Sequence, residues 1–190
     1  MKRKKRQNVI KSIGTGLASG LIASWVMNHF QQALSKLTKD GQKSHGAQSI
    51  QSGSPAHGVA SYLEQKGLDA EDDNATERLA NFVSVGTVGH ELSKEQKDIG
   101  GRVFHYVFGA TNGALYGVAS EISPRLTFGA GLPFGAAIWV VADEIVVPAL
   151  GLSKWPLSYP PSKHAASLAS HLVYGLTTHA VFNVLRNVTN

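Results

Sequence analysis

The chain has 190 residues, with 18 Lys+Arg against 13 Asp+Glu, 43% hydrophobic residues and a mean hydropathy of -0.07. This length supports one domain with a real core, and the absence of Cys excludes a disulfide scaffold, a thiolate nucleophile and Cys-built zinc or iron–sulfur centres. Lys2, Arg3, Lys4, Lys5, Arg6 and Lys11 give residues 1–11 a charge of +6, more than the +5 of the whole chain, so the cations are not spread over a face with aromatics as nucleic-acid binding requires.

Beyond this tail, residues 12–35, 103–120, 126–142 and 165–185 contain no Lys, Arg, Asp or Glu. A helix needs about 20 mainly apolar residues to cross ~30 Å of hydrocarbon. The pattern predicts an all-α integral membrane bundle of four transmembrane helices, roughly 10–33, 102–122, 126–150 and 164–186. A soluble bundle of four Gly-rich buried helices is the alternative, but Gly costs a water-exposed helix nearly 1 kcal/mol relative to Ala. The corresponding organisation is a basic cytoplasmic tail (1–11), a first span (12–33), an extracytoplasmic loop with short helices (34–101), a three-helix transmembrane region (102–186) and a cytoplasmic tail (187–190).

The first span has a basic approach and an apolar core like a signal peptide. It ends in Asn28-His29-Phe30-Gln31-Gln32 with no small-x-small cleavage site, so it is expected to stay attached. The tail cations place both termini in the cytoplasm. In the long loop, residues 39–54 read as a flexible Gly/Gln/Ser run and 55–66 as a short helix. Asn74 is the expected N-cap of a helix over 76–85, and Leu92-Ser93-Lys94-Glu95-Gln96 starts another short helix before the second span. These amphipathic pieces are expected at the outer interface or capping the bundle.

In the second span His105, Gly109, Gly113, Gly117 and Glu121 recur every four residues. The tandem GxxxG formed by Gly109, Gly113 and Gly117 predicts a close helix–helix seam, either within the chain or toward a protein partner or second copy. Glu121 and Arg125, four apart at the cytoplasmic edge, are candidates to pair. Asn112, Tyr116 and Tyr174 are expected to bond between helices, and His179 to extend a polar stripe inward.

Rise per residue locates the ionisable groups along the spans. Asp143 and Glu144 come near the end of the third span, while His105 and His171 come near the outer ends of the second and fourth. His29 lies near the outer end of the first, and His164 sits just above that layer. Charged groups at such depth usually face the interior or one another. Four readings stay open: a proton-responsive cluster, a divalent-metal site from His105, His171 and Asp143 or Glu144, a polar lining for a small-solute path, and residues that only lock helices together. No Walker loop, GxSxG, dinucleotide fingerprint or tight metal spacing such as HExxH is present, which argues against an enzyme and predicts no cofactor beyond that metal option.

The run His105-Tyr106-Val107-Phe108-Gly109-Ala110-Thr111-Asn112-Gly113-Ala114-Leu115-Tyr116-Gly117 resembles the YagU-like family of bacterial inner-membrane proteins, a domain-of-unknown-function family. Asn74-Ala75-Thr76-Glu77-Arg78-Leu79-Ala80, the stretch from Asp143-Glu144 to Pro148-Ala149-Leu150-Gly151-Leu152, and Ser170-His171-Leu172-Val173-Tyr174-Gly175 are similar too. The resemblance implies a small multi-pass bacterial inner-membrane protein and brings no reaction, ligand or catalytic residue. The leading expectation is therefore a non-enzymatic component of a membrane complex or a stress-related membrane protein. The alternative is a proton- or metal-handling protein using the outer His/carboxylate cluster.

Overall fold

The computed structural model describes residues 2–37, 53–68 and 72–189, and the side chains of 8–37, 53–68, 72–123 and 127–188 within them. Most of the Gln/Ser-rich run, part of the acidic turn, the side chains of the cations at 2–6 and that of Arg125 lie outside the described residues. The described chain is all-α, with no strand among the described residues.

Helix α1 (Lys2–Leu37) is followed by two short helices, α2 (Gly58–Gln65) and α3 (Ala75–Val88). Asn74 caps α3 in a full capping box: its side chain accepts from the Thr76 and Glu77 amides, and Glu77 reaches back to the Asn74 amide at 3.0 Å. Ser93 and Gln96 form a second such box at the start of α4 (Lys94–Ile122). With that cap in place nothing interrupts the backbone ladder, so the short helix expected near 92–96 is the first turn of α4 and not a separate element.

The region expected as one helix over 126–150 is broken. After Ser123 the chain makes a 3-10 segment, Pro124–Gly131, with Gly129, Ala130 and Gly131 in left-handed conformation. A right-handed helix cannot include such residues, so α5 begins only at Leu132 and runs to Ile138. Trp139–Val146 then forms a π-helical segment before the short α6 (Val147–Ala149). The last helix is α7 (Pro161–Thr189).

Two stretches are long and apolar enough to cross a membrane, Asn8–Leu37 and Thr127–Ala149. Helices α4 and α7, 29 residues each, do not meet that measure of length and apolarity, so two and not four of the expected spans are met on it. Their Gly, Ser, Thr and His content lowers their hydropathy.

α1 packs on α4 and α7, and α7 packs on α5, giving the order α4–α1–α7–α5. The α1–α4 contact is an antiparallel ladder of small residues. A Cβ added at Gly16 would lie 2.3 Å from the Gly113 carbonyl oxygen, one at Gly20 2.2 Å from that of Gly109, and one at Gly117 2.0 Å from that of Ser12. Only glycine permits this approach, and the four-residue repeat on both helices aligns successive contacts. At the Ser12 end of the ladder, Ser12 donates to Glu121 at 2.9 Å and Arg186 pairs with Glu121 at 3.1 Å, joining α1, α4 and α7. A second close contact joins α5 to α7, where a Cβ at Gly135 would meet the His171 carbonyl at 2.1 Å.

The interior mixes apolar residues such as Ala23, Met27, Ile138 and Phe182 with many small polar ones, while much of the exterior is apolar. Ser19, Ser24, Gln31, Ser167, Ser170 and Thr178 are buried, whereas Ile10, Leu17, Trp25, Val107, Leu115 and Val184 are exposed. At one end α2 and α3 form a cap. Val59 and Ala60 amides donate to the carbonyls of Leu150 and Gly151 at 2.9 and 3.0 Å. Arg78, fully buried, donates to the Leu152 carbonyl at 2.6 Å. Buried Asp73 accepts from Lys94 at 3.0 Å and from buried Lys97 at 2.9 Å, while Glu77 accepts from Lys94 at 2.9 Å.

Candidate functional site

The α1–α4 ladder ends at Ser24 and His105. Beyond them α4 and the π-helical segment diverge, and a cavity of about 390 Å³ opens under the cap. Its walls come from α1, α3, α4, the 138–152 region and α7, and they are mostly apolar. Val107, Phe108, Val141 and Val146 on its rim are each roughly half exposed, so the cavity opens sideways between α4 and the π-helical segment.

One wall is polar. His105, Asp143, His171, Ser24 and Tyr174 all reach it. His171 and His105 are 6% and 8% exposed and Ser24 is fully buried. The His171 Nδ1 lies 3.7 Å from the Asp143 Oδ2 and 3.0 Å from the Ser167 carbonyl, and Ser167 donates a short hydrogen bond to the same Asp143 oxygen. Tyr174 donates to the Gly109 carbonyl at 2.6 Å, closing the floor against α4. His105 lies against the backbone of Ser24. The His105 Nε2 and the Ser24 Oγ have no hydrogen-bond partner among the described residues.

Asp143 and Glu144 are consecutive on the π-helical segment, and successive helical residues point roughly 100° apart, so the two acids meet different neighbours. A π turn inserts about one extra residue into the helical ladder and redirects the side chains around it. Asp143 lines both the cavity and a tiny neighbouring cleft of about 10 Å³, in which Glu144 lies 2.8 Å from the His164 Nδ1. The His164 Nε2 donates to the Pro156 carbonyl at 3.0 Å. The sequence candidates thus fall into two groups, His105, Asp143 and His171 on the cavity and Glu144 with His164 beside it. His29 is exposed, with its Nδ1 3.0 Å from the Trp25 carbonyl, and joins neither. Among the described residues no three His, Asp or Glu side chains are grouped so as to hold a metal ion.

Other side chains find local partners. Tyr116 and His179 meet at 2.6 Å between Oη and Nδ1, and Asn183 contacts the other His179 nitrogen at 3.0 Å. His179 is therefore engaged in the inner half of the bundle and lines no part of the cavity. Asn112, expected to bond between helices, donates instead to the Phe108 carbonyl of its own helix at 2.9 Å. Sequence reasoning omitted Ser24 and Ser167. The signal for Ser24 was the four-residue spacing of Ser12, Gly16, Gly20 and Ser24, which mirrors the ladder on α4; Ser167 had none.

In the cap, burial alone would lower the Lys94 ammonium, but hydrogen bonds to Glu77 and Asp73 outweigh it and hold it above its ordinary value. Burial raises the Tyr159 phenol, with the Lys154 backbone opposing.

No curated protein and no solved structure shows significant similarity to the chain. Residues 76–180 match the family described as Protein of unknown function (DUF1440), a match that begins in α3, ends in α7 and includes the whole π-helical segment. Since it covers more than half of the chain, the protein belongs to the DUF1440 family.

Proposed function

We propose that the chain is a four-span protein of a bacterial inner membrane, with both termini in the cytoplasm, that works without catalysis by taking up and releasing a proton at the His105–Asp143–His171 wall. Four spans are supported by the apolar exterior of α4 and α7 as well as of the two more apolar stretches. The +6 tail supports the orientation, and the likeness to YagU-like sequences supports the bacterial inner membrane. The glycine faces that could receive a partner subunit are occupied by the chain's own helices, so the cavity is the feature left for a function to use.

The observation that carries the proton reading is the approach of His171 to Asp143, 3.7 Å apart and both shielded from solvent, with His105 on the same wall. A His–carboxylate pair can hold a proton at either partner with little change in net charge. Two imidazoles and one acid could also bind a divalent ion, but among the described residues no three such side chains are grouped to hold one, which favours the proton reading.

The test is ¹⁵N-histidine spectroscopy of the protein in nanodiscs between about pH 5 and about pH 8, the range in which His changes charge. Asp143→Asn is expected to change the pH response of the ring-nitrogen signals from this wall. If both rings keep one protonation state throughout, in wild type and D143N alike, the proton reading fails.

A further inference from the structure

We infer that the cavity binds an uncharged amphiphile, an apolar chain or ring carrying a neutral hydrogen-bond donor such as an alcohol or phenol, which enters sideways from the bilayer. The inference rests on reading the chain as a membrane protein, and it names the ligand of the same site. It does not require the proton reading.

The volume, about 390 Å³, falls within the range of small-molecule sites. Its side opening lies between Val107 and Val141, both exposed on the apolar exterior, so an entrant arrives from hydrocarbon and not from water. At the inner end of the space, the Ser24 Oγ and the His105 Nε2 are buried without partners. Unsatisfied polar atoms are costly where no water can reach them, and two on one wall of an apolar space call for a polar head.

The chemistry of that head follows from the two atoms. The His105 Nε2 is buried without a partner, and with the ring proton on Nδ1 it is an acceptor. A hydroxyl can donate to Nε2 and exchange a second bond with the Ser24 Oγ. An anionic head is disfavoured by Asp143 on the same wall. Asp143 itself already receives Ser167 and faces His171, so the unspent capacity is neutral.

The experiment uses full-length protein in phosphatidylcholine nanodiscs, photolabelled with a diazirine-bearing dodecanol, with adducts mapped by mass spectrometry. Labelling is expected at the cavity rim, with dodecanol competing at least about tenfold better than dodecanoate. Ser24→Ala and His105→Phe should each weaken that competition by about threefold to tenfold, the worth of one hydrogen bond. Val141→Trp narrows the opening without touching the polar wall and should abolish rim labelling while the protein stays monodisperse. Adducts spread evenly over exposed Leu17, Leu115 and Leu176, equal competition by dodecanoate, or undiminished labelling of V141W would overturn the inference. Loss of specific labelling with imidazole titration intact sinks the ligand and spares the proton reading, whereas specific labelling without titration does the reverse.

Discussion

Gly113 and Gly14 lie on the two sides of one question about small residues. A Cβ at Gly113 would lie 2.2 Å from the Gly16 carbonyl oxygen, a backbone atom that cannot turn aside, whereas one at Gly14 meets nothing within 4 Å. Gly113→Val should therefore separate α1 from α4 and sharply lower the yield of folded protein by size-exclusion chromatography. Gly14→Ala should be neutral or stabilising by up to about 1 kcal/mol through helix propensity. In the cap, Asp73 is the counter-charge for buried Lys97. Asp73→Ala leaves Lys97 only the longer 3.8 Å contact with half-exposed Glu91 and should cost about 2–4 kcal/mol, measured as lost amide protection in α3. Lys94 adds a pH signature. Its folded value is raised, so its contribution is full below the unfolded lysine value of about 10.4 and is lost as pH rises through the folded value. The melting temperature should fall above about pH 10.5 in wild type, and Lys94→Gln should show a smaller fall; equal falls would contradict the assignment. His105, Asp143 and His171 were legible in sequence because an ionisable residue stands out in an apolar run. Ser24 and Ser167 were not, since serine is unremarkable in a small-residue helix and only the fold shows which ones face a cavity.

At the scale of elements, boundaries set by local chemistry were readable and those set by backbone strain were not. Asn74 with Glu77 marks the start of α3 in the sequence itself, and the structure has the full capping box. Asn74→Ala should loosen α3 by about 1 kcal/mol, with Asn74→Ser retaining most of the stability; amide exchange along 75–79 is the readout. The break before α5 depends on three consecutive left-handed residues, including the non-glycine Ala130, and a hydropathy pattern carries no trace of dihedral angles. The same applies to the π-helical segment, whose sequence Trp139–Val146 reads as ordinary helix. Deleting Val140 should restore α-helical register there and rotate the preceding residues by about 100° relative to Asp143. Phe134 would then leave its edge-on contact with Tyr116, now at 4.9 Å between centroids; retention of native Tyr116 fluorescence and chromatographic behaviour would show that the extra residue has no role in aligning the two halves of this helix.

For the whole molecule, two stretches long and apolar enough to cross a membrane were legible from the charge-free runs, while the side of the bundle that would hold a ligand was not. Periodicity identifies helices, but the order α4–α1–α7–α5 and the gap beside the π-helical segment arise from glycine contacts among residues distant in sequence. The proposed topology is open to a clean test because the chain has no Cys. Ser158→Cys should react with an impermeant maleimide on intact cells, and Asn187→Cys only after permeabilisation; the opposite pattern would invert the orientation. The ladder between α1 and α4 also has a consequence for biogenesis. Gly16 emerges about 97 residues before Gly113, its partner, which at 5–20 residues per second is a delay of roughly 5–20 s. On the proposed topology, α1 lies in the bilayer during that interval with its glycine face open to lipid or the insertion machinery. Folding of this protein is thus a race between the arrival of α4 and any other small-faced helix that reaches α1 first, and slowing translation between α1 and α4 should lengthen the time for which α1 is open to mispairing.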